Sequence, residues 1–199
     1  MLDLFVRARA LDPHPALHLP ADVVVLDLTR KDAPRPPGST THAIGRYDED
    51  RAGMYEAALF GGARTLHVGI DLGAPAGTEV FATLPGVLIA AGANPEPGDY
   101  GHALVLEHAV DGERFWALYG HLSADSVRGA QIGAAVARGE VVGRLGAEAE
   151  NGGWPPHLHL QLSLRRPSTH DLPGVVAPAD REAALRDYPD PRWLLGPLY

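Results

Sequence analysis

The 199-residue sequence contains no cysteine, which excludes disulfides and thiolate metal sites. A metal ion would therefore have to be bound by histidine, aspartate or glutamate. Long apolar runs are also missing, since no stretch approaches the roughly 20 apolar residues of a membrane helix. Asp3, Arg7 and Arg9 interrupt the apolar segment that an N-terminal signal peptide requires. We therefore expect a cytoplasmic protein that does not bind membranes.

Basic residues are few, with 17 lysines and arginines against 25 aspartates and glutamates and a formal net charge of −8. The best basic cluster, Arg30-Lys31 with Arg35, is small and interrupted by proline, so nucleic-acid binding is not expected. Glycine (23) and proline (18) are abundant instead, which favours short strands and turns over long helices. The chain length fits one domain with a substantial core, and the oligomeric state stays open.

Short apolar segments separated by turn residues predict a mainly β fold, an antiparallel β-sandwich or partly open barrel. We expect a core at residues 66–164, an N-terminal extension at 1–65 that packs on it, and a C-terminal tail at 165–199 that wraps around it. An Asp-Gly turn at 111–112 predicts a hairpin. The expected core strands are 66–72, 79–81, 86–91, 103–108, 114–119, 141–145 and 157–164. Outside the core we expect a buried strand at 23–26, a loop at 33–41, a short helix over 46–60, a second near 180–186, and a turn region at 134–139.

The segment 157–164 alternates strictly between leucine and polar residues. A strand with this pattern sends its leucines to the core and projects His157 and His159 side by side into one cleft. In the segment 67–71, His67 and Asp71 share one face of the predicted strand. Gly69 lies between them and leaves the space above the pair free of a side chain.

Two histidines, one carboxylate and an open position are typical of catalytic zinc. Such a site can polarise a carbonyl and lower the pKa of a bound water. One of His157 and His159 suffices as a ligand, and the other would then be free to move protons. His121 follows the strand 114–119 and can act as an acid/base or bind a developing oxyanion.

Each of these residues also has a simpler interpretation. A single buried histidine is more often structural, and His67 with Asp71 can be a plain hydrogen-bonded pair. Trp154 and Tyr100 are either packing residues or aromatic contacts for a substrate. It is the combination of three motifs that favours a functional site.

The three motifs occur in a specific order: His67-x-x-x-Asp71, Tyr119-Gly120-His121-Leu122 and His157-Leu158-His159. With the segments 74–80, 86–91 and 139–146, they resemble the M23 (lysostaphin/LytM-like) zinc metallopeptidases. The resemblance is strongest to the M23-like domain of bacterial proteins that also carry phosphotransferase and class III aminotransferase domains. Two departures are the loop 150–156, which replaces a loop of small residues, and Gln161, where the family usually has glutamate.

The resemblance implies a duplicated hybrid-motif fold and one Zn²⁺ per chain, held by His67, Asp71 and His159. It also implies hydrolysis of a peptide or amide bond in a peptide or peptidoglycan-like substrate. Water held by the zinc would attack the carbonyl, and His121 and His157 would serve as acid/base and oxyanion-stabilising groups. Substrate contacts are expected from three residues of the surrounding loops: Tyr100, Asn151 and Trp154.

Two alternatives remain open. A catalytically silent zinc-binding scaffold of the same fold would keep the metal ligands without cleaving a bond. A phosphohistidine carrier would use His67 in its His-x-Gly-Ile-Asp segment, although it has no use for the later histidine pair. Nickel, cobalt or manganese would also suit two imidazoles and a carboxylate.

Overall fold

The computed structural model describes residues 2–30 and 42–199. Within these ranges the chain forms thirteen β-strands: β1 (Val24–Val25), β2 (Ala43–Gly45), β3 (Glu49–Asp50), β4 (Leu66–His67), β5 (Ile70–Gly73), β6 (Glu79–Phe81), β7 (Gly86–Asn94), β8 (Gly101–Val110), β9 (Glu113–Gly120), β10 (Ala135–Val136), β11 (Val141–Arg144), β12 (His157–Ser163) and β13 (Val175–Val176). The α-helices of the same ranges are α1 (Leu2–Ala10), α2 (Ala124–Arg128), α3 (Arg181–Asp187) and α4 (Arg192–Leu195).

One eight-stranded sheet organises the molecule, in the order β1-β2-β5-β12-β9-β8-β7-β10. All its pairings are antiparallel except that of β1 with β2. Two small sheets, β11-β6 and β13-β4-β3, accompany it. The mainly β, antiparallel architecture is therefore confirmed. Among the described residues the main sheet does not close into a barrel, because β1 and β10 stand at its two ends.

The predicted hairpin joins β8, the longest strand of the sheet, to β9. Asp111 and Gly112 have φ angles of 50° and 84°, and Val110 pairs directly with Glu113. Positive φ at both central residues is the geometry that an Asp-Gly turn favours, because it matches the twist of the flanking strands. The hairpin places β9 beside β8, and the other edge of β9 pairs with β12, where two of the candidate histidines lie.

Strand β12 lies in the middle of the sheet, between β5 and β9. Its leucines Leu158, Leu160 and Leu162 are buried in the main hydrophobic core, as the alternation predicts. The opposite face is also covered, since His159 and Gln161 are 3% and 0% exposed. The polar residues of this strand therefore line an enclosed site and not an open surface.

Several local predictions were wrong. The segment 66–72 is not one strand: β4 pairs with β3 and β13, the chain leaves that sheet at residues 68 and 69, and β5 enters the main sheet. The helix expected over 46–60 is replaced by β3 and a 3-10 turn at Ala58–Phe60, because pairing of β3 with β4 overrides local helix propensity. The strand at 23–26 exists as β1 but is exposed, since it lies at the sheet edge.

Both terminal segments contain helices, of which the sequence predicted one and missed another. Helix α3 confirms the helix expected near 180–186, whereas α1 was not anticipated, although its Leu4, Phe5 and Ala8 are buried in the main core. The region 134–139 contains the short strand β10 within the expected turns. The loop expected at 33–41 lies outside the described residues. No helix in the described part of the chain is long and apolar enough to cross a membrane.

Candidate metal centre and its cleft

Three strands bring the candidate ligands together. Asp71 on β5 lies directly opposite His159 on β12 in the strand register. His67 is the last residue of β4, just before the chain changes sheets. On its other side His159 pairs with Gly120, the last residue of β9, which places His121 at the same end of the sheet. Separate sequence motifs thus meet because their strands are neighbours.

The three expected ligands form a compact triangle of donor atoms. His67 Nε2 is 3.0 Å from His159 Nδ1 and 3.2 Å from Asp71 Oδ1, and His159 Nδ1 is 3.1 Å from the same oxygen. A tetrahedral zinc ion with bonds of roughly 2.0–2.1 Å separates its ligand atoms by about 3.3 Å. Among the described residues this is the group of histidine and acidic side chains that can hold a metal ion.

The outer nitrogens of the two imidazoles determine which atoms face inward. His67 Nδ1 lies 2.9 Å from the Arg46 carbonyl oxygen, and His159 Nε2 lies 3.1 Å from Gln161 Oε1. Both partners are acceptors, so the imidazoles donate their N–H groups to them. In neutral rings, His67 Nε2 and His159 Nδ1 then carry lone pairs. Two lone pairs and a carboxylate oxygen converge without a proton between them, which suits a cation.

The surroundings of His67 and Asp71 favour the protonation states of these two residues that bind a metal ion. Burial, and after it the charge of the nearby Arg51 guanidinium, lowers the pKa of His67 to about 4. Burial alone would raise the pKa of Asp71, but His67, Arg51 and hydrogen bonds outweigh it and hold that pKa well below its usual range. At neutral pH the site therefore offers a neutral His67 imidazole and an ionised carboxylate, which are the forms that coordinate zinc.

Gly69 has the role that its position in the sequence predicted. A Cβ atom at this position would lie 2.4 Å from His159 Cε1 and 2.5 Å from its Nε2. The backbone oxygen of Leu160, at 3.0 Å, would prevent the new group from moving aside easily. The glycine is therefore required because the His159 ring fills the space above it.

The two further histidines stand beside the triangle in a matched arrangement. Their ring centroids are 4.2 Å apart. His121 Nδ1 donates to the Asn151 carbonyl at 2.8 Å, and His157 Nδ1 donates to the Pro155 carbonyl at 2.7 Å. The Nε2 atoms are thereby left for the cleft, and His157 Nε2 lies 3.7 Å from Asp71 Oδ1.

Burial also sets the charge of this second pair. It lowers the pKa of His157, and together with the neighbouring His157 and His159 it lowers the pKa of His121 well below the usual range. Both rings are therefore neutral at neutral pH, with Nε2 able to accept a proton. His121 has a positive φ of 62°, uncommon for a residue other than glycine, and its backbone N–H donates to the Tyr100 carbonyl at 3.1 Å.

A cavity of about 410 Å³ opens directly over these five residues. This volume lies within the range of roughly 300–1,000 Å³ that is common for ligand sites. Part of its wall is apolar and comes from the segment before the core together with one loop residue: Met54, Tyr55, Leu59, Phe60 and Trp154. The N-terminal extension thus contributes to the cleft, a point that the sequence left open.

The residues predicted to contact a substrate occupy different kinds of position. Trp154 lines the cavity, half-buried, and its indole N–H donates to the Gly98 carbonyl at 3.1 Å. Tyr100 also lines it but is 6% exposed, with its hydroxyl donating to the Leu172 carbonyl. Asn151 is fully buried, and its side chain bonds the backbone of Trp154 within the loop. Substrate contact by each remains a prediction.

Sequence reasoning missed Arg51 and Glu49, which lie behind Asp71. Arg51 Nη1 donates to Asp71 Oδ2 at 2.7 Å, and Arg51 Nε donates to Glu49 Oε2 at 2.9 Å. Both side chains are almost completely buried. In the segment 46–60 two opposite charges look like an ordinary solvated pair, and no local pattern indicates that they meet Asp71.

The comparisons with known proteins concern mainly the core. Residues 65–170 match the profile described as peptidase family M23. The DD-carboxypeptidase/endopeptidase Mpg proteins of Neisseria meningitidis and Neisseria gonorrhoeae are 42% identical over 99 residues, which is 50% of this chain and 20% of theirs. The chain therefore spans about a fifth of the length of the curated relatives it matches.

Solved structures with detectable similarity include a zinc containing peptidase from Vibrio cholerae, at 29% identity and a TM-score of 0.40, covering 49% of this chain and 27% of that one. Another is the catalytic domain of the antimicrobial peptidase lysostaphin from Staphylococcus simulans, at 26% identity and a TM-score of 0.44, covering 58% and 77%. The profile match extends over more than half of the 199 residues. It includes the three residues of the metal triangle and the two histidines beside it. The chain belongs to peptidase family M23.

Proposed function

We propose that this protein is a zinc-dependent peptidase that hydrolyses a peptide or amide bond. The observation that carries the proposal is the convergence of His67 Nε2, His159 Nδ1 and Asp71 Oδ1 within 3.2 Å of one another, with their other polar atoms already hydrogen-bonded. Zinc bound there supplies an electrophile that polarises the scissile carbonyl and lowers the pKa of water. The profile match to a peptidase family supports the same reading.

His157 and His121 would transfer protons during the reaction. His157 Nε2, 3.7 Å from Oδ1 of the candidate ligand Asp71, would take up a proton from the water that attacks the carbonyl. His121, whose ring is tilted by 41° against that of His157 at 4.2 Å between centroids, would stabilise the developing oxyanion or deliver the proton to the leaving amine. Since both rings are neutral at neutral pH, either can accept a proton first.

A phosphocarrier function fits this site less well. A phosphoryl-accepting histidine needs an accessible ring nitrogen. His67 is 2% exposed, its Nδ1 bonds the Arg46 carbonyl, and its Nε2 faces His159 and Asp71. The silent-scaffold alternative shares the metal site, so a cleavage measurement separates it from the peptidase.

Metal content and peptide cleavage test the proposal together. Purified wild type should carry about one zinc per chain, measured by elemental analysis, and should cleave a library of quenched fluorescent peptides. His159→Ala should lose both, because a ligand is removed, whereas His18→Ala, at an exposed position away from the cleft, should lose neither. No zinc in the wild type after zinc is added back would overturn the proposal. Zinc without cleavage of any peptide would favour the scaffold.

The apolar cavity wall supports a finer proposal about the substrate. Tyr55 packs against Phe60 and Trp154, with ring centroids 4.9 Å and 6.0 Å away, and together they flank the metal site. A glycine beside the scissile bond would leave this wall in contact with water. A leucine or phenylalanine would bury its side chain there, worth about 1.5–3 kcal/mol. We therefore propose that the enzyme prefers a bulky apolar residue next to the cleaved bond.

Paired peptides that differ at a single residue, glycine or leucine, on either side of the scissile bond measure this preference. We expect kcat/KM to be about 10- to 100-fold higher for leucine on one side, as that burial energy implies. Trp154→Ala should reduce the ratio while the glycine peptide is cleaved at a similar rate. Equal cleavage of both peptides, or a preference for glycine, would show that the wall does not select the substrate.

A further inference from the structure

The candidate ligand Asp71 uses its two carboxylate oxygens for different partners. Oδ1 faces His67 and His159, whereas Oδ2 accepts a hydrogen bond from Arg51 Nη1 at 2.7 Å. A free carboxylate can bind a metal ion through one oxygen or both. Here the second oxygen is held by a guanidinium, which leaves one oxygen to coordinate.

The guanidinium itself is held from several sides. The Arg51 side chain is 4% exposed, and burial of a charge is costly unless it is paired and hydrogen-bonded. Its Nε donates to Glu49 Oε2 at 2.9 Å, its Nη1 also to the Tyr55 hydroxyl at 3.0 Å, and its Nη2 to the Arg46 carbonyl at 3.2 Å. The planar fork thus bridges two carboxylates in a fixed orientation, which a lysine cannot reproduce.

Glu49 is fixed in turn by the same segment. Its Oε1 accepts from the Leu28 backbone N–H at 3.1 Å and from Arg46 Nε at 2.9 Å. The side chain is 3% exposed. Because Glu49 balances the charge of Arg51, the pair adds orientation behind Asp71 without adding a net charge that would repel a cation.

Local sequence makes room for this arrangement. Gly45 on β2 lies directly opposite Asp71 in the register. A Cβ atom there would lie 2.8 Å from Arg51 Nη2 and 2.8 Å from Asp71 Oδ2. Gly45, Glu49 and Arg51 all precede residue 65, where the match to the family profile begins.

We propose that Arg51, held by Glu49, is a positioning residue that keeps Asp71 a one-oxygen ligand and preserves the open coordination position. The inference rests on the proposed function, since it presupposes a metal at the triangle. Loss of Arg51 frees Oδ2 to rotate towards the metal. Two effects follow: Asp71 loses its fixed orientation, and a bidentate carboxylate competes with substrate for the open position.

Metal binding and cobalt spectroscopy test this inference independently of cleavage. Arg51→Gln should weaken zinc binding by about 10- to 100-fold in a chelator competition, the usual effect of removing a partner that orients a ligand. Cobalt-substituted wild type should absorb strongly in the visible as a four-coordinate site, and Arg51→Gln should absorb more weakly as a five-coordinate one. Arg51→Lys should recover part of the affinity, because a charge without the fork orients Asp71 only partly.

Two further variants separate this role from simple destabilisation. Arg192→Gln also removes a guanidinium paired with a carboxylate at 2.7 Å, Asp190, but outside the cleft, and should leave zinc affinity and the cobalt spectrum unchanged. Arg51→Gln leaves the buried Glu49 with Arg46 as its remaining guanidinium partner. If that variant does not fold, the double variant Glu49→Gln with Arg51→Gln removes both charges and should show the same spectral change.

The possible failures can be told apart. If the wild type binds zinc tightly and Arg51→Gln has unchanged affinity and an unchanged cobalt spectrum, the role of Arg51 is overturned while the metal site stands. If the wild type binds neither zinc nor cobalt, the proposed function itself fails.

Discussion

The cleft is built by two regions of the chain that contribute unlike parts. Residues 65–170 provide all three candidate ligands and both further histidines. The segment before them provides the guanidinium behind Asp71 and most of the apolar wall. The candidate ligands therefore come from one stretch of the chain, and the groups that hold and flank them come from another.

If the core region carries the chemical step, fast turnover should depend on both histidines beside the metal triangle. His157→Ala and His121→Ala should each lower kcat by about 10²–10⁴-fold, the usual contribution of a general acid or base. Zinc should remain near one per chain in both variants, because neither ring belongs to the metal triangle. Steady-state kinetics with parallel elemental analysis measures this.

A different division of roles would be visible in the same data. Loss of zinc in His157→Ala would make His157 a ligand and not a proton carrier. An unchanged kcat in both variants would mean that the core region provides metal ligands but no group that transfers a proton.

Each of the two regions has a glycine packed against a side chain of the site, Gly69 in the core region and Gly45 in the segment before it. Gly69→Ala pushes directly on the His159 ring at 2.4 Å and on a backbone oxygen at 3.0 Å. Gly45→Ala meets the ends of two side chains, Arg51 Nη2 and Asp71 Oδ2, each at 2.8 Å. Overpacking costs about 1–3 kcal/mol, or roughly 5- to 150-fold in zinc affinity, and we expect Gly69→Ala at the upper end and Gly45→Ala at the lower.

Gly129→Ala is the matched control for this pair, because a Cβ there would meet nothing within 4 Å and its φ of −105° suits alanine. It should bind zinc like the wild type. A Gly45→Ala variant that loses more affinity than Gly69→Ala would reverse the ranking and make the flanking segment the more rigid part of the site.

The sequence was most informative where one local pattern determines both the strand and the site. The alternation in 157–164 placed its leucines in the core and His157 and His159 on the cleft side, because β12 is central and its period is unbroken. Gly69 was interpreted correctly for a related reason. A glycine between two polar residues indicates that another group occupies the space of the missing side chain, and here that group is the His159 ring.

Local reasoning failed where distant pairing decides the structure. The segment 66–72 divides between two sheets because β4 finds partners in β3 and β13, which the sequence does not reveal. Arg51 and Asp71 are twenty residues apart, and they meet only because β2 and β3 fold back along β4 and β5. No hydrophobic period indicates such a contact.

One more buried histidine lies in the core region but away from the metal triangle. His108 on β8 is 0% exposed; its Nδ1 donates to the Pro85 carbonyl at 3.0 Å, and its Nε2 has no hydrogen-bond partner among the described residues. Burial lowers its pKa below the model-peptide value of about 6.5. Its neutral form is therefore favoured in the folded state, and the stability that this provides is fully present above about pH 6.5.

As the pH falls below that value, the unfolded chain binds a proton that folded His108 still excludes. The free energy of unfolding should then decrease by up to about 1.4 kcal/mol per pH unit for this group, until the pH reaches the lowered pKa of the folded state. His108→Phe keeps an aromatic ring beside Phe115, now 5.1 Å away between centroids, and removes the titration. Urea unfolding between pH 7.5 and 5.5, with a chelator present for both proteins, should give the variant the flatter slope. Parallel slopes would mean that His108 takes up its proton without unfolding, and that burial at this position is less complete than the packing of β8 implies.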